Sequence, residues 1–192
     1  MGQSRSAALP PLQTVPSCIT DKFMGPWFVI AVKPTYFETT NSNAVEIYSR
    51  NKSNKNHDIN IDFQYNKKES IESPLTALNQ RGWILGADKE NSSDWNISPF
   101  GCIRLHYPII ELDEVNYEYC CIGYKSRNYV WIMSRKPVME EKVYNMLTER
   151  LVQKHQYTLD GLRKVPQVWT REERKKRKLE GVIPDELLVE NP

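Results

Sequence analysis

The sequence predicts an all-β fold: an eight-stranded antiparallel up-and-down barrel with one α-helix flanking it near the C-terminus. Three observations predict it. Short apolar or alternating stretches recur between residues 27 and 135, with turn-rich pieces such as NKKES, DKENSS and KSRN between many of them and no helical period among them. One stretch alternates without fault, Ile59, Ile61, Phe63 and Tyr65 against Asp58, Asn60, Asp62 and Gln64, which marks a strand with one buried face. After Pro137 the period changes to that of a helix. Antiparallel strands joined by short turns remove their exposed edges by closing into a barrel.

Residues 1–22 read as an irregular arm, because Pro10, Pro11 and Pro16 exclude regular structure. The first strand covers 27–32 (WFVIAV) and is ended by Pro34; the second covers 44–50. The Asn/Lys/Ser cluster at 51–56 turns the chain into the alternating third strand. Further strands fall at about 75–86, 94–100, 105–112, 117–124 and 128–135. Met139, Val143, Met146, Leu147 and Leu151 recur at helical spacing through about residue 154, a stripe expected to pack outside the barrel wall. The barrel and its helix thus occupy residues 23–169, and 170–192 form a charged extension that opens with TREERKKRKLE, expected as a solvated helix.

At 192 residues the chain suits one domain with tails, and 40% hydrophobic residues can build its core. A net charge of +2 selects no charged partner, and without a basic stripe interleaved with aromatics no nucleic acid is expected. No apolar run approaches the length of a membrane-spanning helix. The opening MGQSRSAALPPLQTVPS never builds the apolar stretch of a secretory signal, which points to a cytoplasmic protein. Cys18, Cys102, Cys120 and Cys121 form neither a dense disulfide framework nor a Cys-x-x-Cys zinc pattern, so free thiols are expected and no metal or cofactor is. Sequons at Asn51, Asn91 and Asn96 read as chance occurrences in an Asn-rich chain.

Two distant motifs make sense only together. Gly25-Pro26-Trp27 heads the first strand: the glycine permits a tight turn, and the indole can fill one end of a barrel. Tyr129-Val130-Trp131-Ile132-Met133-Ser134-Arg135-Lys136-Pro137 ends the last strand, and its arginine can lie across that indole as a cation–π cover. Gly-x-Trp and Arg-x-Pro at this separation resemble the lipocalin signature. YVWIMSRKP, a helix and then Leu162-Arg163-Lys164-Val165-Pro166-Gln167 resemble its bacterial outer-membrane and apolipoprotein D-like branch, over roughly residues 12–169. The family's Asp-Tyr motif before the seventh strand is displaced here, in Leu112-Asp113-Glu114-Val115-Asn116-Tyr117.

The resemblance implies a cup for a small hydrophobic ligand such as a fatty acid, lysophospholipid, sterol or isoprenoid, carried or stored, with a role in membrane lipid maintenance. If Gly25, Trp27 and Arg135 close the bottom from inside, strand parity puts Val29 and Ala31 on the wall with Met133, Trp131 and Tyr129. By the same alternation Ile59, Ile61 and Phe63 join them, and Tyr107, Ile109 and Cys121 are further candidates. Such groups bury apolar area without demanding polar partners. Two other classes stay open: an enzyme built on the barrel, acting on a lipid or pigment, and an interaction protein whose barrel is filled by its own side chains. No histidine is placed in sequence to activate Cys121, so no catalytic residue is assigned. Gly2 fits the Met-Gly-x-x-x-Ser pattern of N-myristoylation, and the basic run 174–178 could supply the second signal for peripheral membrane contact.

Overall fold

The computed structural model describes residues 9–34, 39–53, 56–99, 101 and 103–189; Gly2 and Cys102 lie outside them. A one-turn helix, α1 (Thr20–Phe23), leads into β1 (Gly25–Lys33), β2 (Ser42–Arg50), β3 (Ile59–Asn66), β4 (Leu75–Ile84), β5 (Asp94–Ser98), β6 (Leu105–Leu112), β7 (Tyr119–Ile122) and β8 (Val130–Ser134). Helix α2 (Glu141–Gln153), a two-residue strand β9 (Arg163–Lys164), a short helix α3 (Arg171–Lys176) and a 3-10 turn (Asp185–Leu187) follow. Each of β1 to β7 pairs antiparallel with its successor, and β8 pairs antiparallel with β1, which closes the eight-stranded barrel. The expected strands and helix are all present, with ends shifted by a few residues.

Three strands carry an extra residue, β2 between Ser42 and Val45 and also β1 and β6, and in the last two it changes which way the side chains of the site point. In β1, Val29 faces Met133 but Ala31 faces Ile132, so Ile30 is a bulge; in β6, Ile110 is the extra residue between Ile109 and Glu111. Val29 and Val32 therefore point into the barrel, while Ala31 joins Ile110, Cys121, Val130 and Ile132 on the outer wall under Leu147 and Leu151 of α2.

Beyond Phe28 and Val45, β1 and β2 diverge, and the segment after α2 fills the gap. β9 pairs with Ala31 and Val32, Val165 N–H donates to the Ile30 carbonyl (2.8 Å), and Asn43 N–H donates to the Pro166 carbonyl (2.8 Å). The Gln167 amide spans both strands, donating to the carbonyls of Val29 (2.8 Å) and Ala44 (3.1 Å). Backbone groups left unpaired by the divergence thus find partners.

Helix α2 is held by charge as well as by its apolar stripe. Glu111, turned outward by the β6 bulge, accepts from Arg150 (2.9 Å), Lys154 (2.8 Å) and His155 (2.7 Å). Burial works to raise its pKa, but these three hydrogen bonds outweigh burial and hold the carboxyl down at about 2, from an ordinary value near 4.5. A carboxyl depressed on folding contributes stability above its unfolded pKa and loses it as pH falls through the folded one. Glu111 should therefore supply roughly 3 kcal/mol at neutral pH, lost between about pH 5 and pH 2. Urea titrations across that range should show the loss in the wild type and a flatter acid limb in Glu111→Gln.

The extension is not a solvated helix. Thr170 caps α3 by accepting from Glu173 N–H (3.1 Å), and Trp169, Leu179 and Ile183 pack on Phe28, Ile30 and Val45 of the outer wall. Arg177 is buried, donating to Glu173 (2.7 Å), the Asn43 carbonyl (2.8 Å) and Asn66, with its guanidinium 4.8 Å from the Trp169 ring centre. Arg174 bonds to the Ile183 carbonyl (2.8 Å) and pairs with Asp185. Three of the five basic residues expected to meet an anionic membrane surface, Arg174, Lys176 and Arg177, thus pair within the protein.

Candidate functional site

One end of the barrel is sealed. Trp27 donates its indole N–H to the Phe23 carbonyl (2.8 Å), and Phe23 packs against Trp27 (4.8 Å), Tyr48 (5.2 Å) and Trp95 (5.0 Å). The one-turn α1 is therefore a plug whose aromatic centre is Phe23. Arg135 lies 3.9 Å from the Trp27 ring centre and ties the seal together, donating to the carbonyls of Pro26 (2.8 Å), Lys22 (2.7 Å) and Tyr117 (3.3 Å). Gly25 has φ +97°, and a Cβ there would approach the Arg135 guanidinium to 3.3 Å, which accounts for glycine on both counts. Tyr117, from the displaced Asp-Tyr segment, is buried and accepts from Ile19 N–H (2.8 Å). Burial pulls the Arg135 pKa down to about 10, leaving it charged at neutral pH.

The strand register fixes what lies above the seal. Trp27, Glu46, Phe63 and Leu78 are cross-strand neighbours in successive strands. On the other side Val29 meets Met133 and Cys120, while Val32, Trp131, Ile122 and Ile109 are neighbours in turn. Tyr107 neighbours Trp95, and Leu105 neighbours Ile97. All of these side chains except Glu46 form one apolar cluster lining the barrel. Its members at the sealed end are fully buried, whereas Leu78, Leu105 and Trp131 are only partly so.

Of the residues expected on the wall, Val29, Ile59, Ile61, Phe63, Tyr107, Ile109, Met133 and Trp131 all belong to or pack on this interior cluster. Ala31 and Cys121 do not. The bulge at Ile30 turns Ala31 outward, and Cys121 pairs with outward-facing Ile132, so that its neighbour Cys120 is the inward thiol. Tyr129 precedes β8 at the open end, its ring 5.3 Å from Tyr124 and outside the interior cluster.

The interior also holds a polar group that alternation did not indicate. Glu46 is buried, and its Oε2 accepts from the hydroxyls of Tyr48 and, at 3.0 Å, Tyr107; those two hydroxyl oxygens are 2.6 Å apart. Burial pushes both phenols well above their ordinary pKa, and the Glu46 carboxylate pushes them further, so both stay protonated. Cys18, Cys120 and Cys121 are free; burial pushes Cys18 up to about 12 and the other two upward as well. Thiols held protonated are poor nucleophiles. Among the described residues no group of three or more His, Cys, Asp or Glu side chains could hold a metal ion.

Among the described residues, hollows also lie outside the barrel. One, about 380 Å³, is rimmed by paired charges including Asp21, Arg50, Asp58, Lys89 and Glu90. Another, about 220 Å³, runs between the start of α2 and β9 and includes Ile30, Met139, Tyr144 and Val165.

The family model for a lipocalin-like domain matches residues 20–167. Temperature-induced lipocalin-1 of Arabidopsis thaliana is 27% identical over 160 residues, covering 81% of this chain and 83% of the relative. Among solved structures, insecticyanin from the tobacco hornworm Manduca sexta superposes with a TM-score of 0.62 at 14% identity, covering 86% of this chain and 88% of its own. Apocrustacyanin C2 does so with a TM-score of 0.57 at 15% identity, covering 77% and 79%. At such identities the structural likenesses speak for the fold.

Proposed function

The chain belongs to the lipocalin family, and from that membership we propose that it binds a small hydrophobic ligand in the open half of its barrel and carries or stores it. The observation that carries this proposal is the gradient of exposure along the interior. Aromatic side chains fill the sealed half, while inward-facing Leu78, Leu105 and Trp131 leave apolar surface accessible at the other end. Apolar concave surface of this kind is where small molecules bind. Fatty acids, lysophospholipids, sterols and isoprenoids are the ligand classes in view, with membrane lipid upkeep as the setting. YVWIMSRKP and the ending LRKVPQ support placement in the bacterial outer-membrane and apolipoprotein D-like branch. Free thiols at Cys18, Cys120 and Cys121 support a cytoplasmic setting, and contact with anionic lipid would fall first to Lys175 and Lys178.

The test is a fluorescence titration of delipidated protein with lysophospholipid, fatty acid and retinoid. Trp131 packs on the interior cluster with its ring 6.2 Å from Tyr107, so saturable quenching is expected, and Trp131→Ala should weaken the affinity about tenfold (~1.4 kcal/mol). The packed lower half favours a second reading, a barrel filled by its own side chains that acts through protein partners. Flat traces for all three ligands in folded protein would select it. An enzyme on this barrel finds little support in the thiols: Cys121 faces α2, and burial keeps it protonated. Loss of turnover in Cys121→Ala, with ligand affinity unchanged, would reverse that view.

A further inference from the structure

We infer that Gln80 sets what the cup accepts: its side-chain amide is the hydrogen-bond partner of a neutral oxygen group, a hydroxyl or a carbonyl, carried by an otherwise apolar ligand. The inference deepens the carrier proposal and rests on it.

Strand register fixes where Gln80 points. β3 and β4 pair without interruption from Ile59 opposite Gly82 to Asn66 opposite Leu75, so every second residue of β4 shares a face. Leu78 packs on the interior cluster, and Ile61, the cross-strand neighbour of Gln80, belongs to it. Thr76, Leu78 and Gln80 therefore make up the inner face of β4. Gln80 is 6% exposed, with Ile61 beside it and Leu78 two residues nearer the open end.

Among the described residues the Gln80 amide has no hydrogen-bond partner. On the same face, two residues beyond Leu78, the Thr76 hydroxyl is likewise buried without one. A primary amide offers two N–H donors and a carbonyl acceptor. It does not titrate, so no change of protonation state relieves the need for a partner. Leaving such a group unpaired among apolar neighbours is destabilising. Methionine or leucine would fill the same space without that disadvantage. A barrel filled only by its own side chains has no use for an amide at this position, whereas a barrel that takes a ligand does.

The chemistry of the partner follows from that of the amide. A hydroxyl both donates and accepts, and a carbonyl accepts, so either takes up capacity that the protein leaves unused. A full charge in the same surroundings needs compensation that one neutral amide does not supply. Leu78 is only partly buried, so the way to Gln80 runs past it from the open end. Among the ligand classes in view, sterols and isoprenoid alcohols carry a neutral oxygen at one end. Fatty acids and lysophospholipids, whose polar ends are charged, would enter tail first and leave the amide unpaired.

The experiment is a titration of the delipidated full chain with decanol and 1-chlorodecane, which match in length and differ in hydrogen bonding, followed by tryptophan fluorescence and calorimetry. The chloride leaves water more readily, so a wholly apolar cup binds it more tightly; the wild type should instead bind decanol at least as tightly. Gln80→Met keeps the length of the side chain and removes the amide. It should weaken decanol binding about fivefold, the effect of one hydrogen bond, and leave the chloride within about twofold. It should also hold or raise the urea midpoint of the ligand-free protein, since an unpaired buried amide is removed. Gln80→Leu is the second variant, with the same expectations. A midpoint lowered in both variants, which marks an amide bonded within the folded protein, overturns the inference and leaves the carrier proposal standing. Decanol affinity unchanged in a folded variant, or a wild type that prefers the chloride, does the same. Failure of both probes to saturate folded wild-type protein overturns both.

Discussion

Arg177→Ala should destabilise the protein by about 3–5 kcal/mol, the range for removing one partner of a buried, hydrogen-bonded ion pair. Arg177 is 3% exposed and Glu173 5%, so the substitution leaves a buried carboxylate whose other cationic neighbour is Lys176 at 3.6 Å. The same guanidinium binds the Asn43 carbonyl and the Asn66 side chain, at the ends of β2 and β3, and covers Trp169. Its loss should loosen residues 169–189 from the outer wall and bring Phe28, Ile30 and Val45 toward water. Urea denaturation followed by circular dichroism and tryptophan fluorescence measures this directly. Arg177→Lys should recover only a fraction, because an ammonium cannot reproduce the planar fork that serves Glu173, Asn43 and Asn66 together. A loss below about 1 kcal/mol for the alanine variant would mean that the extension is a surface appendage after all.

Trp27→Ala is the second large effect, at about 3–5 kcal/mol for emptying a fully buried aromatic site. The cavity would open between Phe23 and Arg135, both of which use the indole: Phe23 stacks on it and accepts its N–H, and Arg135 covers its face. The guanidinium would keep its carbonyl partners but lose the ring that shields it. Trp27→Phe should cost much less, since it retains most of the packed volume and sacrifices the single indole hydrogen bond. Thermal unfolding of the pair separates the contribution of shape from that of the polar seal. Equal losses in both variants would place the weight on the indole N–H rather than on filling the space.

The barrel was legible because its alternation is strict where it matters. Ile59 to Tyr65 reads as a half-buried strand and is one, and Gly25, Trp27 and Arg135 announced the seal by residue type and spacing. The bulges left no such mark. In WFVIAV every residue is apolar, so nothing in the letters says that Ile30 is the extra one and that Ala31 must turn outward. Glu46 was hidden for a related reason. In Ala44-Val45-Glu46-Ile47-Tyr48 alternation makes Val45 and Ile47 look like the core face, and they are indeed covered, but by the C-terminal extension on the outside. A strand covered on both sides has no outward face for a charge, so the acid points into the barrel. The extension itself was obscured by its lysines and arginines. Its signal was the Glu173–Arg177 spacing of one helical turn beside Trp169, Leu179 and Ile183.

The inserted residue in β1 also bears on how this chain can change over generations. Trp27 to Val32 are six consecutive buried residues, shared out among the lumen, the α2 side and the extension side. Losing Phe28 or Val29 would re-phase residues ahead of the bulge, whereas losing Ile30 would remove the extra residue and leave Val29, Ala31 and Val32 facing as they do. Length polymorphism should therefore be confined to the turns and to this bulge, and in a deletion scan of residues 27–32 the gap at Ile30 should be the best tolerated.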